Sequence, residues 1–146
     1  METLLHISEF REDDLGDVVA KISVLLPSQG IVAIHGDMGV GKTTLVKRLC
    51  SHLGIVDEVS SPTFGIVNVY KGKGQQINHI DLYRLKDAEE AEAAGVFEVL
   101  QGEGLSLVEW PDRIADELEG DVMVLKIELC EKFKHEGGRR LILQRP

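Results

Sequence analysis

The chain has 146 residues, of which 43% are apolar and 28% are charged, with 16 basic and 25 acidic side chains and a formal charge of −9. This composition is typical of a globular protein and excludes disordered and membrane-spanning classes, and the length suits one domain. A net negative field repels a phosphate backbone, which argues against strong direct binding of nucleic acid.

The first part of the chain predicts alternating strands and helices. Thr3–Ser8 is a short strand, and "GIVAIH" is an apolar strand of the kind buried on both faces. A helix beginning at Lys42 is predicted by leucines at four-residue steps, Leu45, Leu49 and Leu53, with Gly54 as its C-terminal stop. A helix is predicted between the two strands, and Pro27 and Gly30 end it. Its apolar residues recur at helical spacing: Leu15, Val18, Val19, Ile22, Leu25 and Leu26.

The second part predicts two hairpins around a short helical region. "FGIVNVY" and "QQINHIDLY" form an antiparallel pair across "KGKG", and "DVMVLKIEL" and "RRLILQR" form another around "KHEGG". Asp87 caps a short helix that Gly95 ends, and a second helical turn carries Phe97 and Leu100. "LSLVEW" is a strand, and Pro111 starts the helix "PDRIADEL". We therefore predict a single α/β domain over 1–146, with a mixed sheet of parallel core and antiparallel hairpins flanked by helices.

Two cysteines and the N-terminal region bear on location. Cys50 and Cys130 lack the spacing of a metal site, so we expect reduced thiols. The N-terminal stretch has neither a basic region nor a long apolar core. We expect a cytoplasmic protein with no membrane partner.

The stretch "HGDMGVGKTTL" satisfies the phosphate-loop pattern G-x-x-x-x-G-K-[ST] through Gly36, Gly41, Lys42 and Thr43. Glycines let backbone N–H groups point at phosphate oxygens, and a helix beginning at Lys42 directs its positive end to the same anion. Lys42 can reach the β and γ phosphates, and the Thr43 hydroxyl can hold Mg²⁺. We assign the nucleotide-binding loop to eight consecutive positions: Asp37, Met38, Gly39, Val40, Gly41, Lys42, Thr43 and Thr44.

A phosphate loop needs an acidic partner for Mg²⁺, normally at the end of a buried strand. Glu109 and Asp81 both end predicted strands, although a helix cap or a surface charge is the plainer interpretation of such a carboxylate. His79 shares a strand face with Asp81, and a structural hydrogen bond is the more common role of such a histidine. His35, directly before the loop, is a weaker candidate.

Two further segments remain open to more than one interpretation. "SSPTF", Ser60 to Phe64, is either a turn or a switch that senses the γ-phosphate through its hydroxyls. Lys71, Lys73, Arg139 and Arg140 form two basic clusters that are typical of solvated hairpin ends.

The chain has no Asn-Lys-x-Asp motif, and Asp81 at its predicted strand end is followed by Leu-Tyr-Arg instead of the x-x-Gly of a GTPase switch, so ATP is the expected nucleotide. A small-molecule kinase would need a lid and several arginines around its acceptor, whereas only seven arginines are present.

Four ordered segments, "GDMGVGKTTL", "SPTF", "HIDLYRL" with "DAEEAEAAG", and "LVEWPDR", resemble the TsaE (YjeE) family of bacterial P-loop ATPases over nearly the whole chain. The resemblance implies an ATPase needed to form N6-threonylcarbamoyladenosine at position 37 of tRNAs that read codons beginning with A. Such an ATPase docks on the TsaB–TsaD transferase and resets it between turnovers, and it meets tRNA only indirectly.

The resemblance also implies roles for particular residues. Lys42, Asp81 and Glu109 would be catalytic, and Thr43 and Glu109 would hold Mg²⁺, with Asp81 either binding metal through water or orienting the attacking water. The remaining matches are the loop positions Gly36, Gly39, Gly41 and Thr44, the switch positions Ser61, Pro62 and Thr63, and Trp110 beside the site.

One position departs from the family pattern. Glu12 stands where members often have a threonine, and the base-binding residues are therefore left open. Two alternatives to a partner-stimulated ATPase are a nucleotide-gated scaffold with incidental hydrolysis and, third, a small-molecule kinase.

Overall fold

A computed structural model describes residues 1–55, 57–60, 66–130 and 137–146. Two short 3-10 segments lie at Glu12–Asp14 and Pro111–Glu117. The helices are α1 (Leu15–Ser23), α2 (Lys42–His52), α3 (Ala88–Ala93) and α4 (Val96–Gln101). The strands are β1 (Glu2–Phe10), β2 (Gly30–His35), β3 (Asp57–Ser60), β4 (Val67–Gly72), β5 (Gln75–Asp81), β6 (Leu105–Glu109), β7 (Val122–Leu129) and β8 (Arg139–Arg145).

The strands form one sheet in the order β1-β8-β7-β2-β6-β5-β4-β3. Its centre is parallel, because β2 pairs in parallel with β6 and β7, and β6 pairs in parallel with β5. The outer pairs β4–β5, β3–β4, β7–β8 and β1–β8 are antiparallel. This arrangement confirms the predicted mixed α/β fold. It also brings the carboxyl ends of β2, β5 and β6 to one edge, where open α/β sheets bind ligands.

Two apolar clusters cover the two faces of the sheet. One includes Val19 of α1 and Leu49 of α2, packed with Val32 of β2. The other includes Ala91 of α3 and Val96 of α4. Side chains alternate between the two faces along each strand, so successive residues of β2 are buried on opposite sides of the sheet. The helices therefore hold the strand ends, and the residues that follow them, in fixed positions.

Most of the predicted helices and turns are confirmed, although some helices end a few residues away from their predicted bounds. The Asp87 side chain accepts a hydrogen bond from the Glu90 N–H, which is the predicted cap of α3. The β4–β5 turn has left-handed backbone at Lys73 and Gly74, with φ of 51° and 74°, as a tight hairpin requires. Helix α1 ends at Ser23, before the predicted stop at Pro27, and the Val24 side chain is exposed.

Two predictions of local structure were incomplete. The segment Pro111–Glu117 is a 3-10 helix with a kink at Ile114, whose φ is −133°, instead of an α-helix. Strand β3 was not predicted, because its four residues carry little apolar pattern and it pairs only with β4 at the edge of the sheet. Within the described ranges, no helix is both long and apolar enough to cross a lipid bilayer.

Candidate active site

The glycine loop joins the central strand β2 to helix α2, as predicted. Gly39 and Gly41 have φ of 81° and 108°, a region that disfavours other residues. A Cβ on Gly36 would lie 2.8 Å from Val40 Cγ1 and 2.9 Å from the Ile127 carbonyl oxygen, so the loop turns closely on itself. No side chain caps the start of α2, which leaves its first N–H groups available to an anion.

The Lys42 side chain lies inside the loop and is only 5% exposed. Its Nζ donates a hydrogen bond to the Gly36 carbonyl oxygen at 2.5 Å and lies 4.0 Å from the centre of the Trp110 ring. Burial lowers the pKa of Lys42, and the carboxylates of Glu109 and Asp81 oppose that shift. The ammonium group is thus held beside the loop by a carbonyl and an aromatic face.

Glu109 and Thr43 are in direct contact across the loop. The Thr43 hydroxyl donates to Glu109 Oε2 at 3.0 Å, with Oε1 at 3.3 Å. Glu109 ends β6 and is 2% exposed. Burial alone would raise the pKa of Glu109, but hydrogen bonds from His79 and Thr43 and the charge of Lys42 outweigh it, and the pKa is lowered. Glu109 is therefore a buried carboxylate held in its ionised form.

Asp81 lies beside Glu109, because the two residues are register partners at the ends of β5 and β6. Its Oδ1 accepts a hydrogen bond from the Tyr83 N–H at 3.1 Å, and the residue is partly exposed. A cavity of about 350 Å³ brings these groups together. Its lining comprises Met38, Gly39, Gly41, Lys42, Thr43, Thr44, Asp81, Tyr83, Glu109 and Trp110.

Asp37 and Val40 line other spaces next to the loop. Both border a groove of about 820 Å³ on the β7 side, together with Met38, Lys42 and Trp110. The loop thus separates the carboxylate cavity from this second groove. Asp37 and Val40 do not line the carboxylate cavity.

The two histidines have different surroundings. His79 is 4% exposed, and its Nε2 shares a hydrogen bond with Glu109 Oε2, in keeping with the structural role expected for it. His35 Nδ1 lies 3.8 Å from Asp112 Oδ1, and burial lowers the pKa of His35 although Asp112 opposes the shift. His35 lies on the groove side of the loop, away from the carboxylate cavity.

Arg139 contacts the glycine loop, which the sequence does not indicate. Its basic cluster is typical of a solvated hairpin end, but its Nε donates to the Val40 carbonyl oxygen at 2.6 Å. Strand β8 reaches the loop through β7, which pairs with β2. No local sequence signal marks a contact between residues so far apart in the chain. The neighbouring Arg140 instead forms an ion pair with Glu128.

Trp110 lines the carboxylate cavity, with a backbone conformation that the sequence does not indicate. Its φ is 57°, which is unusual for a bulky residue, and its ring is 5.2 Å from that of Tyr83. The predicted switch positions Ser61, Pro62 and Thr63 lie outside the described residues.

Comparison with known proteins places the chain among tRNA-modification proteins. Residues 10–141 match the family model described as "Threonylcarbamoyl adenosine biosynthesis protein TsaE". The chain is 39% identical over 121 residues to the tRNA threonylcarbamoyladenosine biosynthesis protein TsaE of Treponema pallidum, covering 83% of this chain and 87% of that protein. It is 33% identical over 138 residues to the protein of the same name from Aquifex aeolicus, covering 93% and 96%.

A solved structure has the same fold. The crystal structure of Bacillus subtilis YdiB superposes with a TM-score of 0.71, covering 98% of this chain and 86% of that one, at 22% sequence identity. This likeness supports the architecture of the sheet and its helices.

Proposed function

The chain belongs to the TsaE family of threonylcarbamoyladenosine biosynthesis proteins, and we propose that it is an ATPase that serves this tRNA modification. The observation that carries the proposal is the contact between the phosphate loop and a buried carboxylate, Thr43 to Glu109 at 3.0 Å. A loop that only turned the chain would not need a buried lysine, a hydroxyl and an ionised carboxylate within one cavity.

The loop fits the phosphates of ATP. Left-handed Gly39 and Gly41 and the uncapped start of α2 provide backbone donors, and Lys42 provides a cation that can move from Gly36 to a phosphate. Absence of the guanine-recognition motif in the sequence favours adenine.

The pair of Thr43 and Glu109 fits Mg²⁺. Both offer oxygen ligands, which this cation prefers, and Mg²⁺ commonly takes one or two protein ligands while phosphates and water complete its shell. The bound ion would neutralise charge on the transferred phosphate. Glu109, already ionised and hydrogen bonded, needs no deprotonation to serve as a ligand.

Asp81 is the better placed of the two carboxylates to orient water. Both Glu109 oxygens lie within hydrogen-bond reach of Thr43, and His79 binds Oε2, whereas Asp81 is more exposed at the cavity wall. We assign Asp81 to positioning the attacking water and Lys42 to stabilising charge on the β and γ phosphates.

The proposed partners are the TsaB–TsaD transferase pair, with tRNA contacted only through them. Family membership and the formal charge of −9 support an accessory role, since an acidic protein can serve tRNA chemistry without gripping RNA. The test is phosphate release from ATP measured with and without the purified pair. We expect slow release alone and faster release with the pair. Equal rates would contradict partner stimulation.

A nucleotide-gated scaffold is the second candidate. Met38 is 62% exposed and Tyr83 is 47% exposed, and both lie at the cavity rim, where a partner could detect nucleotide occupancy. Glu109→Ala and Asp81→Ala separate the candidates. If both variants bind ATP, fail to hydrolyse it and still support repeated tRNA modification, the scaffold is the correct function.

A further inference from the structure

His79 carries a hydrogen bond that packing does not explain. It lies on the same face of the sheet as Ile77, and its register partner in β6 is Leu107; both of these side chains are at most 1% exposed. An apolar residue would suit such a position better than an imidazole. Among the described residues, the His79 Nδ1 is a buried polar atom that finds no hydrogen-bond partner. Burying this atom carries a cost that some other contact of the ring must offset.

The other ring nitrogen makes that contact, and it makes it with Glu109. Nε2 of His79 shares a hydrogen bond with Glu109 Oε2, the same oxygen that accepts the Thr43 hydroxyl at 3.0 Å. His79 and Thr43 therefore approach one carboxylate oxygen from β5 and from α2. Together they fix how the carboxylate is turned relative to the loop.

We propose that His79 is a positioning residue that orients the Glu109 carboxylate for Mg²⁺ bound with ATP. The inference rests on the proposed function, and it assigns a role to a residue that touches neither nucleotide nor metal. Carboxylates that bind metals are commonly held by hydrogen bonds from outer residues, and loss of such a partner typically weakens metal binding about 10- to 100-fold.

Two substitutions separate positioning from packing. In His79→Gln, the amide nitrogen can occupy the place of Nε2 and still donate to Glu109. In His79→Asn, the amide is similarly polar but one methylene shorter, so its nitrogen falls short of the carboxylate. The two variants differ chiefly in reach.

The test measures binding of a fluorescent ATP analogue over a range of free Mg²⁺, and again in EDTA. For His79→Asn we expect a half-saturating Mg²⁺ concentration about 10- to 100-fold higher than for the wild type. For His79→Gln we expect a value within a few-fold of wild type. Affinity measured in EDTA should be unchanged in both, because the phosphate loop itself is intact.

Several outcomes would overturn the proposal. An unchanged Mg²⁺ requirement in His79→Asn, equal damage in both variants, or an equal loss of affinity in EDTA would each show that His79 acts through packing alone. A wild-type chain that binds ATP without any effect of Mg²⁺ would instead contradict the proposed Mg²⁺ site.

A measurement on the wild-type chain tests the same role without any substitution. The ¹⁵N chemical shifts of the His79 ring, recorded with Mg²⁺ and a non-hydrolysable ATP analogue, report which nitrogen carries hydrogen. We expect a proton on Nε2, bonded to Glu109. An unprotonated Nε2 would overturn the positioning role.

Discussion

Lys42 and Trp110 are in contact, and this contact makes nucleotide binding observable. Trp110 is the single tryptophan of the chain, and the Lys42 ammonium lies 4.0 Å from its ring centre. A cation over an indole ring is stabilised by about 0.5–2 kcal/mol. Contacts with the phosphates must therefore stabilise the Lys42 ammonium by more than this for it to leave the ring.

We predict that ATP changes the tryptophan emission of the wild-type chain. Lys42 should leave the ring for the phosphates, which alters the surroundings of the indole. In Lys42→Met the emission of the free chain should already differ, and the response to ATP should be lost. Titrations followed by fluorescence, with calorimetry as an independent measure of binding, test this. Saturated binding with unchanged emission would contradict it.

The two cysteines should differ in reactivity. Both are free thiols, and burial raises the pKa of Cys50 from its ordinary value of 9.0 to about 11. Folding therefore favours the protonated thiol, and this contribution to stability is complete below pH 9 and is lost as pH rises towards 11. Cys130 is partly exposed, with its Sγ 3.5 Å from the Ser8 carbonyl oxygen.

At pH 8 we expect an alkylating reagent to modify Cys130 and to leave Cys50 intact, since the thiolate is the reactive form. Cys130→Ser should abolish labelling of the folded chain, and Cys50→Ser should not reduce it. Mass spectrometry after a timed reaction measures both. Rapid labelling of Cys50 in the folded chain would show that its site opens readily.

At the scale of elements, the strand–loop–helix unit depends on a residue without a side chain. A Cβ on Gly36 would lie 2.9 Å from a backbone carbonyl oxygen of β7, which cannot rotate away. We predict that Gly36→Ala lowers the free energy of unfolding by about 1–3 kcal/mol and weakens ATP binding, because the loop must shift. Urea unfolding and nucleotide titration provide the two measurements.

Gly16→Ala is the matched control for that substitution. Gly16 lies within α1, and its added Cβ would be 3.8 Å from the nearest side-chain atom, an ordinary contact. Alanine should stabilise the helix by about 0.5–1 kcal/mol and leave binding unchanged. If Gly16→Ala lowers the free energy of unfolding and weakens ATP binding as much as Gly36→Ala does, close packing around the loop does not explain the glycine at position 36.

Elements with strong local sequence patterns could be predicted, whereas elements whose structure depends on contacts outside their own segment could not. Apolar spacing in α1 and α2 and the cap at Asp87 are properties of consecutive residues. Strand β3 exists because β4 offers it an edge, and the 3-10 form of Pro111–Glu117 follows a left-handed Trp110. Neither cause lies within the segment itself.

The candidate site divides in the same way. Loop residues and strand-end carboxylates follow from motif and position, so Thr43 and Glu109 were predicted together. Contacts of His79 and Arg139 depend on which strands are neighbours in the sheet, β5 beside β6 and β8 beside β7. That order is set by packing of the whole sheet, and no local pattern contains it.

At the scale of the whole molecule, charge sets the expected relation to tRNA. Because the chain has a formal charge of −9, we predict that it binds tRNA directly with a dissociation constant above about 10⁻⁴ M at physiological salt. This value is the weak end of the range for non-specific binding. Electrophoretic mobility shifts with the chain alone, and with the transferase pair added, measure this. Micromolar binding by the chain alone would contradict indirect contact with tRNA.

The pairing of β1 with β8 also affects how the chain folds during translation. Glu2 is paired with Arg145, so the outer part of the sheet joins two regions that leave the ribosome at well-separated times. Until β8 emerges, β1 lacks its sheet neighbour, and the edge of β7 opposite β2 is unpaired. Open strand edges pair readily with other chains. A nascent chain stalled before β8 is therefore expected to aggregate more readily than the chain that includes β8.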